Sequence, residues 1–184
     1  MEETNKAETE TPIPQSNVAQ SLVLVVEDSA IQAKLLERIL LGAGYRVAVA
    51  RDGAEGLVKA QQEKPVLIIS DINMPVMNGL ELCHAIKSDM KLRHIPVILL
   101  TMLTDVGDVI MAMNAGADSY ISKPYDQARL LALLHSMIEN YIPQHGVEKS
   151  KVEVMLGGKS YSVFSSIQHI LNMLLYIDWV PING

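Results

Sequence analysis

Leu22-Val23-Leu24-Val25-Val26-Glu27-Asp28-Ser29 decides the fold: an unbroken apolar run stops on two adjacent acids and a serine. A run this short, with no polar residue alternating into it, predicts a strand covered on both faces, which is the situation of a parallel sheet between two layers of helices. Two further stretches have the same character, Val66-Leu67-Ile68-Ile69 and Val97-Ile98-Leu99-Leu100. Working outward from them, strand patterns alternate with helical ones: 22–26 then 31–41, 46–50 then 54–63, 66–70 then 80–89, 95–101 then 105–115, and 118–122 then 126–141. Five βα units in succession predict an α/β fold, a (βα)5 doubly wound parallel sheet. The three apolar strands belong in its centre. Arg46-Val47-Ala48-Val49-Ala50 and Ser119-Tyr120-Ile121-Ser122 are less apolar and suit the edges, so the strand order 2-1-3-4-5 is expected. With right-handed crossovers the winding reverses between strands one and three, and a ligand crevice opens at their carboxyl ends.

The composition agrees with a globular chain. Of 184 residues, 49% are hydrophobic, enough for a substantial core. A formal net charge of −6, with no cluster of lysine or arginine, argues against nucleic acid as a partner. The lone cysteine, Cys83, lies in the helical pattern Leu80, Leu82, Cys83, Ile86; it reads as packing and points to a reducing, cytoplasmic setting. The polar, acidic start lacks the form of a signal peptide, no apolar run has transmembrane length, and no membrane association is expected. Residues 1–20 show no apolar period and are expected to form a disordered leader.

The chemistry is expected at the strand ends. Glu27 and Asp28 follow strand one, and Asp71 follows strand three ahead of Ile72-Asn73-Met74-Pro75. A single acid after a strand is ordinarily a helix cap, and Asp28 could be that. Three converging carboxylates repel one another unless a cation neutralises them, and oxygen ligands in this number suit Mg²⁺. Thr101 ends strand four and Lys123 follows strand five before Pro124. Taken singly they are an ordinary strand-end residue and a solvated lysine. Together they offer the hydroxyl and the positive charge that a phosphoryl group on Asp71 would need.

Val25-Val26-Glu27-Asp28-Ser29, the loop Asp71-Ile72-Asn73-Met74-Pro75-Val76-Met77-Asn78-Gly79, Leu100-Thr101 and Ala115-Gly116-Ala117-Asp118-Ser119-Tyr120-Ile121-Ser122-Lys123-Pro124-Tyr125 carry a resemblance. Over residues 21–142 the chain resembles the receiver domain of bacterial two-component response regulators. The resemblance implies that Asp71 is the phosphoacceptor, that Asp28, Asp71 and the backbone carbonyl of Asn73 bind Mg²⁺ (Mn²⁺ substituting), and that Glu27 acts on the ion through water. It implies Thr101 and Tyr120 as switch residues, Lys123 as the partner of the phosphoryl group, a cis peptide before Pro124, and Gly79 as the residue closing the loop. The donor would be a sensor histidine kinase or phosphotransfer protein, and the helix 4–strand 5–helix 5 face would carry the signal to a partner. Such a protein promotes its own phosphorylation and dephosphorylation and is not a conventional enzyme. One position departs from the family pattern: Met102 follows the threonine where a small residue is usual, and its bulk is expected to slow access by donors or water.

Two other classes compete. A Mg²⁺-dependent phosphohydrolase of the haloacid-dehalogenase type also forms an aspartyl phosphate, but is expected to carry Asp-x-Asp on its first strand; here the nucleophile candidate follows strand three, and no general acid is evident. An adaptor that retained only the fold would have no need of Glu27, Asp28, Asp71, Thr101 and Lys123 together.

Pro143 and Gly146 mark a boundary, and residues 143–184 are expected to be a separate module. Within it, 152–156 and 159–163 flank Gly157-Gly158 as a hairpin. A helix capped by Ser165 or Ser166 should follow, with Ile167, Ile170, Leu171, Leu174 and Leu175 on one face. So small a unit must dock on the receiver, on a second protomer or on a further domain. With three basic and three acidic residues from Gln144 onward it does not resemble a DNA-binding output domain, and both a complete module and a stub of a coupling or output region stay open. A homodimer could form through the tail or through the helix 4–strand 5–helix 5 face. His169 lacks the neighbours of a kinase histidine motif. His84, His94, His135 and His145 have no metal-ligand spacing, and Met111, Met113 and Met173 read as packing.

Overall fold

The computed structural model describes residues 21–102, 106–140, 150–156 and 158–165. The expected disordered leader, the 143 boundary and the helix after residue 165 lie outside these residues. The elements alternate as β1 (Leu22–Val26), α1 (Ala30–Gly42), β2 (Arg46–Ala50), α2 (Gly53–Glu63), β3 (Leu67–Asp71), α3 (Gly79–Ser88), β4 (Val97–Thr101), α4 (Val106–Ala115), β5 (Ser119–Ser122) and α5 (Gln127–Asn140). A hairpin follows, β6 (Ser150–Leu156) and β7 (Lys159–Ser165).

The five strands form one parallel sheet in the order β2-β1-β3-β4-β5, and the three apolar runs are its inner strands. Alternate residues of each strand serve opposite faces. Val23, Val25, Leu67, Ile69, Ile98 and Leu100 pack with Leu36, Ile39 and Leu40 of α1 and Leu130, Leu133 and Leu134 of α5. Leu24, Val26, Ile68, Val97 and Leu99 pack with α2, α3 and α4 on the other side, where Cys83 is buried among them. Burying both faces of the central strands explains why their sequence carries no period of two.

The ends of the elements have local causes. Ser29 and Asp52 cap α1 and α2, Asn78 and Glu81 form a capping box on α3, and Asp126 Oδ1 accepts from Arg129 N at the start of α5. The fourth strand starts at Val97, two residues later than expected. Pro96 can only accept, and its carbonyl takes Ile68 N–H at 2.9 Å. The third strand ends on Asp71 itself, one residue later than expected, which fixes the backbone of that residue in the sheet.

The hairpin strands are longer than expected at their outer ends, running over 150–156 and 159–165. Gly158 supplies the turn with φ +76°. Glu153 accepts hydrogen bonds from Ser162, its cross-strand neighbour, and from Ser160, and these hold its carboxyl below the usual range. The hairpin does not stand alone. β7 lies against α4, and Val163, 0% exposed, joins the apolar cluster of Val109, Ile110 and Met113, with Val152 and Tyr161 beside it. Docking on the receiver, one of the three alternatives, is what the described hairpin residues show.

Candidate functional site

The sheet's carboxyl edge gathers the predicted residues. β1 delivers Glu27, and its N–H bonds Ala50 O at 3.0 Å, so the chain leaves the strand with that side chain turned inward; the residue is 1% exposed. Glu27 Oε1 accepts from Ser29 N at 3.2 Å, and Asp28 between them is exposed. β3 delivers Asp71, whose Oδ1 accepts from Ile72 N at 2.7 Å, leaving Oδ2 for the crevice. Carboxylate oxygens of Glu27, Asp28 and Asp71 all lie within 4.8 Å of one another.

Lys123 is brought to this cluster from the far side of the sheet. Its N–H donates to Thr101 O at 2.7 Å, continuing the β4–β5 ladder one residue past the strand, and the next peptide, to Pro124, is cis. Its ammonium donates to Asp71 Oδ2 at 2.9 Å, Glu27 Oε2 at 3.0 Å and Gln32 Oε1 at 2.7 Å. Burial by itself would lower the pKa of Lys123, but hydrogen bonds and charge from Asp71 and Glu27 outweigh it, so the group is held above the ordinary lysine value. Burial pushes Glu27 up from 4.5, the charge of Asp71 pushes it the same way, and Lys123 opposes both.

Three acids against one ammonium leave an excess of negative charge in a half-buried crevice. The donor set is all oxygen, which fits a hard divalent cation. Glu27, Asp28 and Asp71 are the residues that could hold it. Asn73, given a backbone-ligand role by the resemblance, lies exposed in the loop after β3.

Beside the acids is a cleft of about 360 Å³, lined by Asn73, Asn78, Leu80, Thr101, Met102 and Met111 among others. Thr101 is buried at its floor, whereas Met102 is 61% exposed at its rim. Tyr120 faces inward from β5, and its buried hydroxyl has no hydrogen-bond partner among the described residues. Burial pushes its pKa up to about 12, with Arg129 opposing. Gly79 is required by close approach: a Cβ there would stand 2.0 Å from Asp71 O, while its N–H closes the loop on Ile72 O at 2.9 Å.

Two features escaped the sequence reading. Met77 N donates to Pro75 O at 2.8 Å across Val76, which has φ +68°, a tight three-residue turn that a β-branched residue rarely adopts. Nothing in Pro75-Val76-Met77 signals it, because valine is a poor left-handed residue. Gln32 was also missed. It reads as an exposed residue in the first turn of α1, and only the fold brings it to a lysine 91 positions away.

Comparison with known proteins agrees with this fold. The model of the response regulator receiver domain matches residues 23–135, and the chain belongs to that family. It is 30% identical over 148 residues to the DNA-binding response regulator MtrA of Mycobacterium leprae, which covers 80% of this chain and 64% of that protein. The chain thus spans less than two thirds of that relative. Among solved structures it resembles the receiver domain of a signal transduction histidine kinase from Syntrophus aciditrophicus, with TM-score 0.64, 38% identity, and coverage of 70% of this chain and 97% of that one. It also resembles the receiver domain of a sensor histidine kinase from Pseudomonas aeruginosa PAO1, with TM-score 0.61, 29% identity, and coverage of 65% and 98%. That structure has a magnesium ion coordinated in its active-site cleft.

Proposed function

We propose that this receiver domain accepts a phosphoryl group on Asp71 from a sensor histidine kinase or a phosphotransfer protein. The observation that carries the reading is the ammonium of Lys123 spanning Asp71 Oδ2 and Glu27 Oε2 beside Asp28. Asp71 Oδ2 is the attacking atom: its bond to phosphorus forms as the P–N bond of a phosphohistidine breaks in line, and the imidazole leaves with its electron pair. Lys123 counters charge on the transferring group, and the hydroxyl of Thr101 stands ready for one of its oxygens. Mg²⁺, or Mn²⁺ in its place, would screen the acids and the phosphoryl oxygens when bound. Asp28 and Asp71, with the Asn73 carbonyl, would be its ligands and Glu27 would act through water.

Output follows from what Thr101 and Tyr120 adjoin. Drawing Thr101 toward the phosphoryl group would shift α4, and Tyr120 would fill the space beside it. Because β7 packs on α4 and Val163 shares a cluster with Tyr120, the chain's own hairpin is the first element to feel that shift. We therefore place the signal's route through the α4–β5–α5 face and the hairpin, which could also pair two copies. The named DNA-binding activity belongs to relatives of which this chain matches a part, and the near-neutral tail supports a coupling role instead. No described helix is long and apolar enough to cross a membrane, and we assign the domain to the cytoplasm.

The test is incubation with a small acyl-phosphate donor and Mg²⁺. One acid-stable, base-labile phosphoryl group per chain is expected, and none in Asp71→Asn. Equal labelling of the variant would overturn the reading, and steady turnover of phosphomonoesters would favour a hydrolase.

A further inference from the structure

An ammonium has three N–H donors, and those of Lys123 are all engaged: Asp71 Oδ2 at 2.9 Å, Glu27 Oε2 at 3.0 Å and Gln32 Oε1 at 2.7 Å. The three acceptors are not equivalent. If Asp71 is the phosphoacceptor, Oδ2 is the oxygen that becomes bonded to phosphorus, because Oδ1 is turned to Ile72 N. An acylated oxygen has lost its charge and is a poor acceptor. Glu27 belongs to the acid cluster that would answer to a cation. Gln32 is the one acceptor with no chemistry of its own in the transfer. It is neutral, it sits in the first turn of α1, and the Ser29 cap ties down that turn at Gln32 N–H.

We infer that Gln32 is a positioning residue for phosphoryl transfer: its carboxamide oxygen anchors the Lys123 ammonium while the lysine's two carboxylate partners turn to the metal and the phosphoryl group. This rests on Asp71 being the phosphoacceptor. Without the anchor the four-carbon side chain of Lys123 has to be ordered by the phosphoryl group itself, and that ordering entropy is charged against binding. The nature of the anchor matters as well. A carboxylate at the same position would hold Lys123 but partly cancel its charge and repel the phosphoryl group, whereas an amide does neither.

A double-mutant cycle on the full chain tests the inference, with binding of beryllofluoride, a phosphoryl mimic, measured by calorimetry at saturating Mg²⁺. The four proteins are the wild type, Gln32→Met, Lys123→Ala and the double variant. Methionine keeps the length of the side chain without its hydrogen-bonding groups. Loss of a hydrogen bond to a charged donor, taken at the low end of its range because Gln32 is exposed, predicts binding on the order of tenfold weaker in Gln32→Met. In the Lys123→Ala background the same change should have less than about a twofold effect, because the group it positions is gone. An exposed residue with a merely structural or local electrostatic effect would weaken binding equally in both backgrounds. That result, or Gln32→Met binding as the wild type does, overturns the role of Gln32 while leaving Asp71 as phosphoacceptor. Failure of the wild type to bind the mimic at all would instead overturn the phosphoacceptor reading, and the anchor with it.

Discussion

Two lysines of this domain are half-buried against aspartates, and they are held in opposite ways. Lys87 of α3 meets Asp118 Oδ2 at 2.5 Å and also donates to the backbone carbonyls of Ile95 at 2.7 Å and Arg93 at 3.4 Å; the same Asp118 oxygen accepts from Val97 N. Every one of those further partners is main chain, so the pair pins the α3–β4 connection to the start of β5. Among the described residues the ammonium of Lys123 is bound by side chains alone, two of them acids at close quarters with a third. Its partners can rotate away without breaking secondary structure. A buried charge satisfied by backbone stabilises an arrangement, whereas one satisfied by crowded like charges is poised to take a cation and an anion.

The comparison can be broken most sharply at Lys123. Lys123→Ala is expected to lower the rate of phosphorylation by a small acyl phosphate on the order of 10²–10³-fold, the usual effect of removing one charge-stabilising donor. Labelling kinetics check this, and a loss below tenfold would return Lys123 to a structural role like that of Lys87. The converse change, Lys87→Met, leaves Asp118 buried without its cation and should cost about 3 kcal/mol of stability in urea denaturation. Its labelling rate should stay within about twofold of the wild type.

The smallest effect concerns Tyr120, a buried polar group with neither kind of support. Tyr120→Phe removes a hydroxyl with no partner among the described residues and should raise stability by about 1 kcal/mol at neutral pH. The phenol is raised from 10.0 to about 12, chiefly by burial. A group whose pKa is raised on folding contributes stability that is complete below its unfolded value and is lost as pH rises through the folded one. Wild-type stability should therefore fall between pH 10 and about 12 more steeply than that of Tyr120→Phe. Parallel alkaline limbs in denaturation would show that the ring is not buried as described.

The same contrast shows what was legible in the sequence. Leu22–Val26 and the two other apolar runs announce central parallel strands, since burial on both faces leaves no alternation to misread. From those strands the places of Glu27, Asp28, Asp71 and Thr101 follow, and from β5 that of Lys123, because a strand's end is a position in one dimension. Gln32 was not legible, as its partner is set by how α1 lies beside the end of β5. The Lys87–Asp118 pair was hidden for the same reason, and so was the seat of the hairpin. Its alternating residues predict two strands, but only the packed structure shows Val163 on α4.

The central claim, that Asp71 carries the phosphoryl group, is tested most directly by mapping the modified residue. The chain is incubated with an acyl-phosphate donor and Mg²⁺, the acyl phosphate is reduced with borohydride, and the peptides are sequenced by mass spectrometry. Conversion of Asp71 alone to homoserine is the predicted result; conversion at Asp28 or Glu27, or at no residue, would contradict the account.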